Sequence, residues 1–142
     1  MINFSMEAEN LMKERFEKDA IISLATADQN RPHVRCVDAY YENGAFYTIT
    51  YALSGKMKQI EKNPVVAIAG EWFTAHGRAE SLGWFCRKEN ADIADKMSTV
   101  FAEWIDNGHN NFEDENTIIL KITLTDGVLL SHGTRYEIDF TL

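Results

Sequence analysis

The spacing of apolar residues changes period along the chain, and each change marks an element. Over residues 5–18, Ala8, Leu11, Met12 and Phe16 fall on one side of a 3.6-residue repeat, with Ser5 placed to cap and Glu7 and Glu9 at the positive end. An amphipathic helix is expected there, serving packing. The period then drops to two. AIISLAT (20–26) is short, apolar and β-branched, DQNRP (28–32) reads as a turn, and HVRCVDAYY continues as a second strand. Asn43-Gly44 is the strongest turn signal, because both central residues of a type I′ turn need positive φ. It predicts a hairpin of strands 33–41 and 45–50.

Ser54 then stands where it can cap a short helix running to Lys62, and Asn63-Pro64 ends that helix. VVAIAGEW and FTAHGRAESL give two further strands with a kink near Gly70 or Glu71. Ile93, Met97, Val100, Phe101 and Trp104 recur at helical spacing and predict a long helix over 85–105, its aromatic residues serving core or subunit interface. The polar stretch 106–116 reads as a surface loop. TIILKITL and GVLLS supply at least two more strands, and YEIDF a last one. Six or more strands in mostly adjacent antiparallel order, with short helices between some of them, predict a mainly β, α+β protein. Its architecture is an antiparallel β-barrel flanked by helices. The strand–helix alternation of a doubly wound fold is missing.

Length and charge narrow what the barrel does. A chain of 142 residues fits one domain over 1–142, large enough to need neither disulfide nor metal. The opening MINFSMEAEN has no apolar run, so a reducing cytoplasm is expected, with Cys36 and Cys86 as small buried hydrophobes. No apolar run approaches membrane-spanning length. With 22 acidic against 14 basic residues the net charge is −8, which disfavours nucleic acid and anionic lipid as partners. Residues 31–62 reverse that sign: Arg31, Arg35, Lys56, Lys58 and Lys62 face only Asp38, Glu42 and Glu61.

That local excess of cations falls on a strand, a turn, a second strand and a short helix over 35–64, an arrangement suited to an anion. A helix start offers free backbone N–H groups and a partial positive charge. At this one Ser54 adds a hydroxyl, Gly55 close access to the backbone, and Lys56 a point charge. Arg35 alternates with His33, Val37 and Ala39, so its guanidinium stands on a mainly apolar face, and its planar fork suits a phosphate. The plainer alternative is that Arg35 pairs with a carboxylate and the three lysines are a solvated helix face. His33, His76, His109 and His132 lack metal-ligand spacing, and no nucleophile-elbow, phosphate-loop or dinucleotide fingerprint is present.

ISLATADQNRPHVRCVD, FYTIT, SGKMKQIEKNP and VVAIAG, in that order, resemble the FMN-binding split-barrel family typified by pyridoxamine 5′-phosphate oxidase, in its small general stress protein-like branch. EWIDNG, a polar loop and TIILKITLTDGVLL extend the likeness over most of the chain. The resemblance implies FMN as cofactor, its phosphate held by Arg35 and by the Ser-x-Lys of Ser54 and Lys56 around Gly55. It implies flavin contacts from the backbone and hydroxyls of Tyr47 and Thr48, and a homodimer with FMN between subunits. The implied activity is oxidoreduction by hydride transfer through flavin N5, with a small-molecule substrate and a donor such as NAD(P)H. Alternatives within the same fold are a flavin-binding or redox-sensing protein without turnover, and a barrel holding deazaflavin or haem.

Two departures separate this chain from the vitamin B6 oxidases. Gly55 stands where those enzymes carry an arginine inside Ser-x-Lys. Their C-terminal Arg-x-His has no counterpart, since His132-Gly133-Thr134-Arg135 runs in reverse order at another spacing. A substrate other than vitamin B6 is expected.

Overall fold

A computed structural model describes residues 5–142; residues 1–4, part of the opening read above for a leader, lie outside it. The chain runs α1 (Met6–Phe16), β1 (Ala20–Asp28), β2 (Arg31–Glu42), β3 (Ala45–Tyr51), α2 (Gly55–Lys62), β4 (Val65–Gly70), β5 (Phe73–Trp84), α3 (Ala91–Val100), β6 (Thr117–Ser131) and β7 (Thr134–Asp139). The sheet order is β3-β2-β1-β4-β5-β6-β7, and β3 also pairs with β6. Six antiparallel strands therefore close into a barrel, with β7 added beyond β6. Closure removes the free sheet edges that a flat arrangement would leave.

Local chemistry places most boundaries. Ser5 caps α1 by accepting from Ala8 N, and Asn43 and Gly44 take φ of 48° and 81° in the β2–β3 turn. Ala8, Met12 and Phe16 bury one stripe of α1 in the barrel core beside Ile22, Leu24, Phe46 and Phe73. Phe16 packs edge-on to Phe46 at 5.5 Å between ring centroids. It fits because Gly70 faces it: a Cβ there would lie 2.7 Å from Phe16 Cε1. A second core, formed by Tyr40, Phe85, Ala94, Met97, Phe101, Ile105 and Ile119, holds α3 against the outside of the wall.

Three expectations are corrected. The helix over 85–105 is regular only from Ala91 to Val100. Asn90 is buried and its amide donates to Leu82 O and Trp84 O, tying the preceding 3₁₀ turn to β5 and displacing the helix start. The periodic residues beyond it still pack, but through turns. The two strands expected from TIILKITL and GVLLS are one 15-residue strand, β6. Its polar break is a bulge: His76 pairs with Asp126 but Gly77 with Leu124, leaving Thr125 as the extra residue. The Thr125 carbonyl is taken up by Phe140 N at 2.9 Å. Finally, Cys36 and Cys86 are both exposed. Strand alternation decides the first of these, since with Arg35 turned inward Cys36 must face out, where its Sγ meets Ser23 Oγ at 4.0 Å. Among the described residues no helix is long and apolar enough to cross a membrane.

Candidate functional site

The barrel opens where β2 and β3 part company. Their ladder has only three pairs, ending at Tyr40–Tyr47, after which β3 follows β6 to Tyr51 while β2 follows β1 back to Arg31. The chain then turns into α2, which buries Met57 and Ile60 in the barrel core. Ser54 caps this helix, its Oγ accepting from Met57 N at 3.3 Å, so the hydroxyl proton remains available to a ligand. A Cβ on Gly55 would meet nothing within 4 Å, so this first helical position faces open space.

Arg35 pairs across the ladder with Leu24 and shares its inward face. Nη1 donates to Leu24 O at 3.1 Å and to Thr26 Oγ1 at 2.8 Å, and Nη2 donates to Gln59 Oε1 at 3.3 Å. The Thr26 hydroxyl in turn donates to the same Gln59 oxygen. Strand and helix thus hold the guanidinium in one orientation through neutral acceptors alone. The carboxylate partner of the plainer alternative is absent: among the described residues neither Arg35 nor Lys56 forms an ion pair.

Lys56 is the second cation of this corner. Burial lowers its pKa from the ordinary lysine range and the nearby Arg35 charge lowers it further, while burial also lowers that of Arg35. Two partly buried like charges without a counter-ion raise the energy of the folded state, and an anion placed between them would relieve it. Lys58 and Lys62 fit the solvated-face reading, being exposed. They rim a groove of about 260 Å³ with Asp28, Gly55 and Gln59, which opens beside the corner.

The fold brings Arg35, Ser54, Gly55 and Lys56 to one end of the barrel and directs the other two candidates elsewhere. Thr48 is buried in the wall, and its hydroxyl donates to Asp38 O at 2.7 Å across the parting strands. Tyr47 points to the α3 side, with the Lys121 ammonium 5.9 Å from its ring centroid. Thr26 and Gln59 were not singled out from the sequence. Thr26 was legible as the next inward position after Ile22 and Leu24, and Gln59 as one turn beyond Gly55.

The remaining candidates resolve into local structure. His76 Nδ1 lies 2.9 Å from Asp126 Oδ1 on the exposed outer face. His132 and Gly133 form the β6–β7 turn with φ of 48° and 81°, and Arg135 pairs with Glu137. No group of three metal-binding side chains occurs among the described residues.

A closed six-stranded barrel with a seam between β2 and β3, capped by a short helix that carries cations, defines the split-barrel class. Within it, a family profile for pyridoxamine 5′-phosphate oxidase matches residues 8–129, and the chain belongs to that family. It is 30% identical over 124 residues to General stress protein 26 of Bacillus subtilis (strain 168), covering 84% of this chain and 86% of that protein. Solved structures share the fold. An FAD-binding protein from Mesorhizobium loti has a TM-score of 0.66 and 16% identity over 83% of this chain and 90% of its own. The haem-storage protein of Vibrio cholerae has a TM-score of 0.63 and 18% identity over 87% and 91%.

Proposed function

We propose that the chain is an FMN-binding oxidoreductase whose cofactor phosphate sits between Arg35, Lys56 and the Ser54 hydroxyl. The carrying observation is the pair of partly buried cations, Arg35 and Lys56, neither of which forms an ion pair among the described residues. The donors fit the group: guanidinium, ammonium, hydroxyl and helix-start N–H are all donors, as a phosphate dianion requires. Gly55 would admit the phosphate to the helix backbone, and the β3 backbone at Tyr47 and Thr48, whose side chains are engaged elsewhere, would border a flavin held at the seam. Bound FMN supplies hydride transfer at N5, and the chain's own contribution is to hold and orient it. The electron donor is a small molecule such as NAD(P)H, and no side chain is assigned as acid or base.

The test is spectroscopic. The purified protein, or the protein titrated with FMN, should show flavin absorption with quenched fluorescence, and FMN should bind more tightly than riboflavin. Because Lys56 must be protonated to attract phosphate and its pKa is lowered, the preference for FMN should fade at a pH below the ordinary lysine range. A protein that takes up no flavin, or carries a haem band instead, would sink the proposal. Turnover with NAD(P)H separates an oxidoreductase from a flavin carrier.

The same reading includes a homodimer built on the outer face of β2, β1 and β4. Strand register aligns Val34, Ala25 and Ala67 in one row and Cys36, Ser23 and Ala69 in the next, with exposed Ile21, Val34 and Val65 on the same face. Small side chains make this face flat, and Val34 adjoins Arg35 on β2, so a second copy seated there would lie beside the flavin corner. Val34→Glu is expected to shift the protein from twice the chain mass towards the monomer in sedimentation, because a two-fold contact sets the new charge against its copy. A wild-type monomer at micromolar concentration would refute this arrangement.

A further inference from the structure

Gln59 stands beside Arg35 at the corner, bonded to it and to Thr26 through its side-chain oxygen. A guanidinium carries five N–H donors and no acceptor. Three of Arg35's donors are engaged by Leu24 O, Thr26 Oγ1 and Gln59 Oε1. Two therefore remain for a ligand. Because Arg35 can only donate, the Gln59 atom facing it must be the oxygen, which sets the orientation of the amide without ambiguity. The Gln59 nitrogen is consequently the end of the amide that Arg35 does not engage. It makes no hydrogen bond within the described chain, and Gln59 lines, with Asp28, Gly55, Lys58 and Lys62, the open groove beside the corner.

We propose that Gln59 is a phosphate-recognition residue and Thr26 its positioning partner. The Gln59 oxygen, bonded by both Thr26 and Arg35, locks the side chain so that its two amide N–H groups face the ligand phosphate. One helical turn from Gly55, these donors take the side of the anion that an arginine at position 55 would otherwise reach. The corner then presents a fixed guanidinium edge, an ammonium, a hydroxyl and a neutral amide. It is selective for a terminal phosphate monoester over the same ligand without phosphate. Thr26 sits fully inside the wall, so its hydroxyl cannot swing to water and holds both partners in register.

The inference rests on the phosphate assignment made above, and the experiment separates the two. Dissociation constants for FMN and riboflavin are measured for wild type, Gln59→Glu, Thr26→Val and Thr26→Ser. Gln59→Glu keeps an oxygen for Arg35 and Thr26 but puts a second carboxylate oxygen where the amide donated. It should therefore lose FMN by about tenfold or more while riboflavin stays within about threefold. Thr26→Val should weaken FMN by about three- to tenfold with riboflavin unchanged, and Thr26→Ser, which keeps the hydroxyl, should restore FMN binding. If wild type prefers FMN but Gln59→Glu binds it equally well, the role of Gln59 is overturned and the phosphate assignment stands. Equal losses for both flavins would make Gln59 merely structural, which also overturns it. If wild type does not distinguish FMN from riboflavin, the phosphate assignment itself fails.

Discussion

Arg35→Ala is expected to weaken FMN by about 10- to 100-fold while leaving riboflavin within about threefold, the effect of removing charge-assisted hydrogen bonds to a phosphate. Lys56→Ala should act in the same direction. The two variants differ in what they do to the empty protein. Lys56 is destabilised in its charged form by burial and by Arg35, so the unfolded chain holds its proton more tightly than the folded one. The cost is full at pH values below the lowered pKa and is relieved as pH rises towards the ordinary lysine range. Lys56→Ala should therefore raise ligand-free stability near neutral pH as it lowers FMN affinity. Arg35→Ala removes the donor for Leu24 O, Thr26 and Gln59, and should not stabilise. Arg35→Lys keeps the charge but not the fork, and is expected to recover only part of the binding. The converse substitution, Gly55→Arg, enters open space and should tighten FMN. Paired titrations with the two flavins, together with thermal melts of the ligand-free variants, check all of these. A Lys56→Ala protein that is less stable without ligand and unchanged towards FMN would contradict the uncompensated-cation argument.

The largest loss of stability is expected from Phe16→Ala. This ring is buried among Phe46, Phe73 and Ile22, 5.5 and 5.6 Å from the two phenyl centroids, and fills the space that Gly70 leaves by lacking a Cβ. Truncation should cost about 3–5 kcal/mol, because β-strands on both sides cannot collapse into the void without breaking barrel pairing. Ile22, beside Phe16, lies one turnless strand segment away from Thr26 on β1, so the cavity sits apart from the cation corner. The ratio of FMN to riboflavin affinity should therefore be preserved in whatever fraction remains folded. Urea unfolding of the ligand-free protein at one fixed concentration, with unchanged slope and a lowered midpoint, is the expected result. A loss below about 1 kcal/mol would show that the barrel end repacks around the gap.

Both predictions concern residues the sequence made visible to different degrees. Phe16 follows from the helical stripe of α1, and Arg35 stands out as a cation on an apolar strand face. What makes each consequential lies elsewhere in the chain: Gly70 for the first, and Thr26, Lys56 and Gln59 for the second. Those partners are separated from them by between 9 and 54 positions, and nothing in local pattern connects them.

The amino-acid sequence by itself determined the elements whose causes are local. The Asn43-Gly44 turn follows from the positive φ that type I′ geometry demands, α2 from Ser54 at its cap and Asn63-Pro64 at its end, and inward and outward faces from alternation. The ordered segments were also enough to indicate the family. Tertiary structure decided the rest, because each feature depends on contacts between distant strands. The polar break in β6 became a bulge when β5 paired across it, and the predicted 21-residue helix shortened when Asn90 bonded back to β5. Cys36 was turned outward by the strand that points Arg35 in. Above all, two cations that form no ion pair among the described residues met because closure of the barrel brings α2 against β1 beside the parting of β2 and β3. A like-charge pair of this kind is a property of folded geometry, and it is what the proposed phosphate site rests on.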